Sequence, residues 1–124
     1  MLLVEEEVLI AMDVEQICQG HGAASVRTVS TAVAVEALCA DENAVADVDA
    51  AILDVKIGSL LTMELARKLE ERNVPFVFAT GYARSDPFFT AFPDVAVVTK
   101  PYAAVELMGA LAAAIRLRGS SHEG

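Results

Sequence analysis

Five short apolar runs punctuate this chain, and the segments between them carry apolar residues at helical spacing. The runs are Leu2–Val4, Ser25–Val29, Ala50 to Asp54, Phe76–Ala79 behind Pro75, and Val95–Val98. A short run with little polar alternation is a strand covered on both faces. The intervening stripes read as helices. Val8–Gln19 buries Ile10, Val14, Ile17 and Cys18 and stops at Gly20. A second helix is capped by Ser30 or Thr31 and runs to about Ala40. Gly58-Ser59 turns the chain, and Leu60–Arg72 places Leu61, Leu65 and Leu69 in register. Ser85–Phe92 is the weakest helix, interrupted by Pro87. Ala103–Leu117 closes the series with Val105, Leu107, Met108, Leu111 and Ile115. Strictly alternating strand and helix with short connections predict an α/β fold, a parallel sheet with helices on both faces. Residues 1–118 form one domain, and the polar tail 119–124 is expected to be disordered.

Composition narrows the function classes. A chain of 124 residues is one domain with room for a core. No apolar stretch approaches the roughly 20 residues that cross a bilayer. Charge arrives at Glu5, before a secretory segment could form, so the cytoplasm is the expected compartment. The net charge of −9 argues against nucleic-acid binding, which needs a basic face. Cys18 and Cys39 lack metal-ligand spacing and read as reduced thiols. His21, in Gly20-His21-Gly22, belongs to a helix-ending turn.

Chemistry collects at the strand ends. Asp54 ends the Ala50–Leu53 run, and a carboxylate there faces the crevice where open α/β sheets bind ligands. Glu5, Glu6 and Glu7 follow the first run, Thr80 closes the fourth, and Lys100 follows the fifth. Carboxylates, a hydroxyl and an ammonium at strand C-termini describe a site for a divalent metal and a phosphoryl group. The sequence argues against a flavin phosphate loop, because three Glu stand where Gly, Ser or Thr amides would be needed.

Val4-Glu5-Glu6-Glu7, Ile52-Leu53-Asp54-Val55, Ala79-Thr80-Gly81 and Lys100-Pro101-Tyr102 together resemble the receiver domain of two-component response regulators. The likeness spans about residues 2–117. Phe78-Ala79-Thr80-Gly81-Tyr82 is similar to the family's Phe-Ala-Thr-Gly subgroup. The resemblance implies a flavodoxin-like, doubly wound (βα)5 fold with strand order 2-1-3-4-5. It implies a phosphoacceptor switch, phosphorylated on Asp54 by a sensor histidine kinase or phosphotransfer protein and catalysing only its own phosphoryl transfer and hydrolysis. Mg²⁺ is the implied cofactor. Glu6 and Asp54 would ligate it directly, Glu5 through water, and Lys56 through its backbone carbonyl. Thr80 would bind a phosphoryl oxygen, and Lys100 would pair first with the carboxylate and then with the phosphate. Output, with no second domain read after the receiver, would pass through an unidentified protein target.

Several residues depart from the family pattern. Glu6 stands where the family usually has Asp. Val97 stands where its switch aromatic usually lies, so the usual Thr–aromatic coupling cannot operate. Tyr82 is either a substitute or a partly exposed loop aromatic. Lys56 puts a cation two residues past the phosphoacceptor, to hold phosphate, to obstruct water, or simply to project into solvent. Phe88, Phe89 and Tyr102 are candidates for a switch or partner surface, with core burial the default for the two Phe. The segment Gly81–Phe92 is expected to be mobile at rest and to order on phosphorylation. Family members usually carry residues ahead of the first strand, so a trimmed N-terminus is expected. The alternative reading is a receiver-like interaction module that is never phosphorylated.

Overall fold

The computed structural model describes residues 1–22, 25–82 and 85–123, with side chains through Leu117. Its strands are β1 (Leu2–Val4), β2 (Arg27–Val29), β3 (Ala51–Leu53), β4 (Lys56–Ile57), β5 (Leu60–Leu61), β6 (Phe76–Thr80) and β7 (Val97–Thr99). Its helices are α1 (Val8–Gly20), α2 (Ala32–Ala40), α3 (Met63–Glu71) and α4 (Ala104–Glu123). The parallel main sheet has the order β2-β1-β3-β6-β7. Counting only its own strands, that is the expected 2-1-3-4-5, a flavodoxin-like α/β fold.

Successive side chains on a strand face opposite ways, and the core divides accordingly. Leu2, Val4, Leu53, Phe76 and Phe78 pack against Val35 and Leu38 of α2 and Leu65 and Leu69 of α3. Leu3, Ile52, Val77 and Ala79 pack on the other face against Val14 and Cys18 of α1 and Leu107 and Leu111 of α4. Burying one such aliphatic side chain contributes about 1.5–3 kcal/mol, so unbroken apolar strands are what a doubly covered sheet requires. Thr31 is the cap of α2: its hydroxyl accepts from the Ala34 N–H at 3.2 Å. Lys68 of α3 donates to the carbonyls of Leu38, Cys39 and Asp41, tying α3 to the open end of α2. Both cysteines are free thiols.

The elements differ from the sequence expectation at their edges. Helix α1 runs through Gly20, and the left-handed residue that ends the turn is Gly22 (φ +102). Only Arg27–Val29 of the second run pairs as a strand. Helix α3 begins at Met63 because Leu60–Leu61 instead pairs antiparallel with Lys56–Ile57 across the Gly58-Ser59 turn. Gly58 takes φ +62 there, a conformation glycine adopts without steric cost. The expected helix over Ser85–Phe92 is a 3-10 turn, Pro87–Ala91, capped by the Asp86 carboxylate on the Phe88 N–H. Helix α4 spans Ala104–Glu123. Among the described residues no helix is long and apolar enough to cross a membrane.

Phe88 and Phe89 take the core positions that are their default expectation, and Phe92 joins them. All three are buried, their rings packed around Phe78 at centroid distances of 5.3, 5.4 and 5.5 Å. Edge-to-face packing on a central ring gains more than exposure would leave. This ties the second half of Gly81–Phe92 to the core, and positions 83 and 84 of that segment lie outside the described residues. Val97 packs at the margin of the same cluster.

Candidate functional site

The sheet places the candidate residues along one edge. Val4 pairs in register with Leu53, and Thr80 with Thr99, so Glu5, Asp54, Thr80 and Lys100 all emerge at the strands' C-terminal ends. Main-chain bonds extend the ladder into the site. The Asp54 N–H donates to Val4 C=O at 2.9 Å, Glu5 N–H to Val29 C=O at 3.1 Å, and Lys100 N–H to Thr80 C=O at 2.7 Å. The candidates are therefore held by backbone that cannot shift without breaking the sheet.

Lys100 is the hub. Its Nζ lies 2.9 Å from Asp54 Oδ2 and 2.7 Å from Glu5 Oε1. The other Asp54 oxygen, Oδ1, accepts the Val55 N–H at 2.7 Å. Glu5 Oε2 accepts the Glu7 N–H at 3.1 Å. Burial pushes the Glu5 carboxyl above its ordinary value, and the bond from Lys100 pulls it only part of the way back. Burial opposes the charge on Lys100, but its bonds to Glu5 and Asp54 outweigh that and hold its pKa well above the usual lysine range. The phenol of half-buried Tyr102 is pushed up to about 12, first by burial and then by the Glu5 charge.

A depression of about 400 Å³ opens over this edge, lined among others by Glu6, Asp54, Lys56, Thr80, Tyr82 and Lys100. Thr80 is fully buried, and its hydroxyl accepts the Tyr82 N–H at 3.2 Å. Tyr82 and Lys56 are exposed at the rim. Glu6 accepts the Gly58 N–H at 2.5 Å. Oxygen donors of this kind suit a hard divalent cation, and Glu6 and Asp54 share the depression. As the side chains stand they are not gathered: among the described residues no three Asp, Glu, His or Cys side chains are grouped closely enough to hold a metal. To ligate a cation, Glu6 would have to turn from Gly58.

One residue of the site escaped the sequence reading. Thr62 is fully buried, and its hydroxyl donates to the carbonyls of Asp54 at 2.6 Å and Val55 at 3.1 Å. A Thr before a helix reads as an N-cap, yet here the hydroxyl makes no cap bond and reaches back to fix the backbone at Asp54.

No protein-family model matches the sequence, and no curated protein matches it significantly. Solved structures do resemble it. One is a response regulator receiver protein from Sinorhizobium medicae WSM419, with TM-score 0.78 and 22% identity over 94% of each chain. A second is a CheY-like response regulator receiver domain protein from Methanospirillum hungatei JF-1, with TM-score 0.78 and 20% identity over 97% of this chain and 95% of that one. A third is a response regulator receiver domain protein from Clostridium thermocellum, with TM-score 0.73 and 22% identity over 95% of this chain and 94% of that one. At such identities the likeness is one of fold: this chain has the fold of response regulator receiver domains.

Proposed function

We propose that this chain is a receiver switch, phosphorylated on Asp54 by a histidine kinase or phosphotransfer protein in a Mg²⁺-dependent relay. The observation that carries the reading is the Lys100 ammonium on Asp54 Oδ2, at the mouth of a depression that Thr80 also lines. An Asp54 oxygen attacks the donor's phosphorus, the bond from phosphorus to the donor breaks, and an acyl phosphate forms. Positioning and charge neutralisation do most of the work in such a transfer. Lys100 then moves its pairing from the carboxylate to the phosphoryl oxygens. The Thr80 hydroxyl, which accepts the main-chain N–H of Tyr82, is the nearby donor for a third oxygen.

A divalent cation, when bound, would offset the remaining phosphoryl charge. The residues of this chain that would hold it are Asp54, Glu6 and the Lys56 carbonyl, with Glu5 acting through water. The protein would be a switch in the cytoplasm and not an enzyme with an external substrate. Its output would be altered binding to a protein target, with exposed Tyr82 at the rim as a candidate contact. The Phe78–Tyr82 segment supports placing it in the Phe-Ala-Thr-Gly subgroup.

A second reading has its own observation. Glu6 is bonded to Gly58 and Glu5 to Lys100, an arrangement that suits an interaction module in which the site is never phosphorylated. Incubation with acetyl phosphate and Mg²⁺, followed by intact-mass measurement, separates the two. The switch gains one phosphoryl group, and Asp54→Asn gains none. No gain in the wild-type chain rules out the switch, and equal labelling of Asp54→Asn moves the acceptor elsewhere.

A further inference from the structure

The β4–β5 hairpin hangs between Asp54 and α3, fixed at its base and tethered at its tip. At the base, the Thr62 N–H donates to Val55 C=O at 2.8 Å, and the Thr62 hydroxyl holds both the Asp54 and Val55 carbonyls. Ile57 roots the first strand in the core. At the tip, Gly58 and Ser59 are exposed, while Leu61, 49% exposed, pairs with Lys56 next to the base. The tether is the Glu6 carboxylate on the Gly58 N–H, a contact that spans 52 residues of sequence. A carboxylate on an amide makes a charge-assisted bond, among the stronger kinds on a protein surface.

We propose that Glu6 is a positioning residue that latches the β4–β5 hairpin, and that a divalent cation entering the depression competes with Gly58 for its carboxylate. The competition rests on the cation part of the function proposed above; the latch itself does not. Glu6 and Asp54 line one depression, so a cation on Asp54 draws the nearby anion inward. Turning inward takes Glu6 off the Gly58 N–H, whose position on an exposed glycine turn lets water replace it. The tip then relaxes while its base stays fixed at Thr62, and Leu60, the residue of β5 beside the turn, changes its presentation to partners. The site would thus be read out through the hairpin, a different route from an aromatic switch at the Val97 position.

Two amides report the two carboxylates separately. Val55 N–H is bonded to Asp54 Oδ1, and Gly58 N–H to Glu6. Amide shifts and hydrogen exchange are followed by NMR on the full chain during a Mg²⁺ titration at constant ionic strength. Without Mg²⁺, Gly58 should exchange about tenfold more slowly in the wild type than in Glu6→Ala, with Glu6→Gln in between because its carbonyl still accepts. Mg²⁺ should bring wild-type Gly58 to the Glu6→Ala rate while the Val55 amide shifts in parallel. In Glu6→Gln the Gly58 rate should not respond. Equal Gly58 rates in wild type and Glu6→Ala would refute the latch. A Val55 shift with Gly58 still protected would refute the competition and leave the cation reading standing. No response at either amide would remove the cation reading, and the competition with it.

Discussion

Lys100 and Glu5 form a deeper ion pair than Lys100 and Asp54: Nζ to Oε1 is 2.7 Å, and the Glu5 side chain is 3% exposed against 13% for Asp54. The ammonium is thus anchored on Glu5 and offered to Asp54. When the charge on Asp54 changes, Lys100 can follow it only by loosening a bond to a carboxylate that water scarcely reaches. Glu5 sets the resting position of the cation, and Asp54 shares it.

Lys100→Met tests that anchor through the pH dependence of stability. Removing one partner of a buried pair costs roughly 3–5 kcal/mol when the other is left charged. The Glu5 pKa is already raised by burial, and the variant loses the bond that lowered it, so it should rise further. A carboxyl raised in the folded state favours folding below its unfolded value, and that contribution is lost as pH rises through the folded value. Urea unfolding should show a large loss at pH 7 that shrinks as pH falls toward the ordinary glutamate value of 4.5. A pH-independent difference between the two proteins would mean that Glu5 is not the group left unpaired.

The aromatic residues divide into core and rim, and truncation should separate them. Phe92→Ala and Phe89→Ala remove rings packed on Phe78, and each should cost about 3–5 kcal/mol by urea unfolding. Tyr82→Ala, at an exposed rim position, should stay within about 0.5 kcal/mol. A small loss at Phe89 would mean that its ring does not hold the core together and would favour the alternative surface role.

What could be read in the sequence was whatever local pattern alone dictates. A parallel strand covered on both faces needs an unbroken apolar run, so β1, β3 and β6 were visible, and with them the sheet edge that bears Glu5, Asp54 and Thr80. The β4–β5 hairpin was invisible because two residues per strand carry no period, and its tether comes from Glu6, distant in sequence. Phe88 and Phe89 were ambiguous because a ring on a proline-flanked turn is buried only if a partner such as Phe78 stands beneath it. The pairing of Lys100 with Glu5 as well as Asp54 was equally unreadable. Which carboxylate lies deeper depends on how Tyr102 and the β1–α1 connection pack, and not on spacing.

Thr62→Val removes the buried hydroxyl while keeping the side chain's shape. Two carbonyls, those of Asp54 and Val55, lose a donor, and the expected cost is about 1–2 kcal/mol. Thr62→Ser, which keeps the hydroxyl, should recover most of it. If Val matches the wild type while Ser loses stability, the methyl group and not the hydrogen bond supports the backbone at Asp54.

The last prediction concerns a cation and Lys100 together. Mg²⁺ that binds the folded chain and not the unfolded one raises stability by mass action, about 2.7 kcal/mol at a hundredfold excess over its dissociation constant. Lys100 already sits 2.9 Å from Asp54 Oδ2, so a cation arriving at that carboxylate is repelled by the ammonium. Binding to the wild type should therefore be weak and should need millimolar Mg²⁺. Lys100→Met lowers the starting stability but removes the repulsion, so Mg²⁺ should raise its melting midpoint by more than it raises the wild type's. Asp54→Asn should show little or no rise, since it lacks the shared ligand. Calorimetric melts at matched ionic strength decide the matter. Equal midpoints with and without Mg²⁺ in both wild type and Lys100→Met would show that no cation binds at Asp54, whatever the oxygen donors around it.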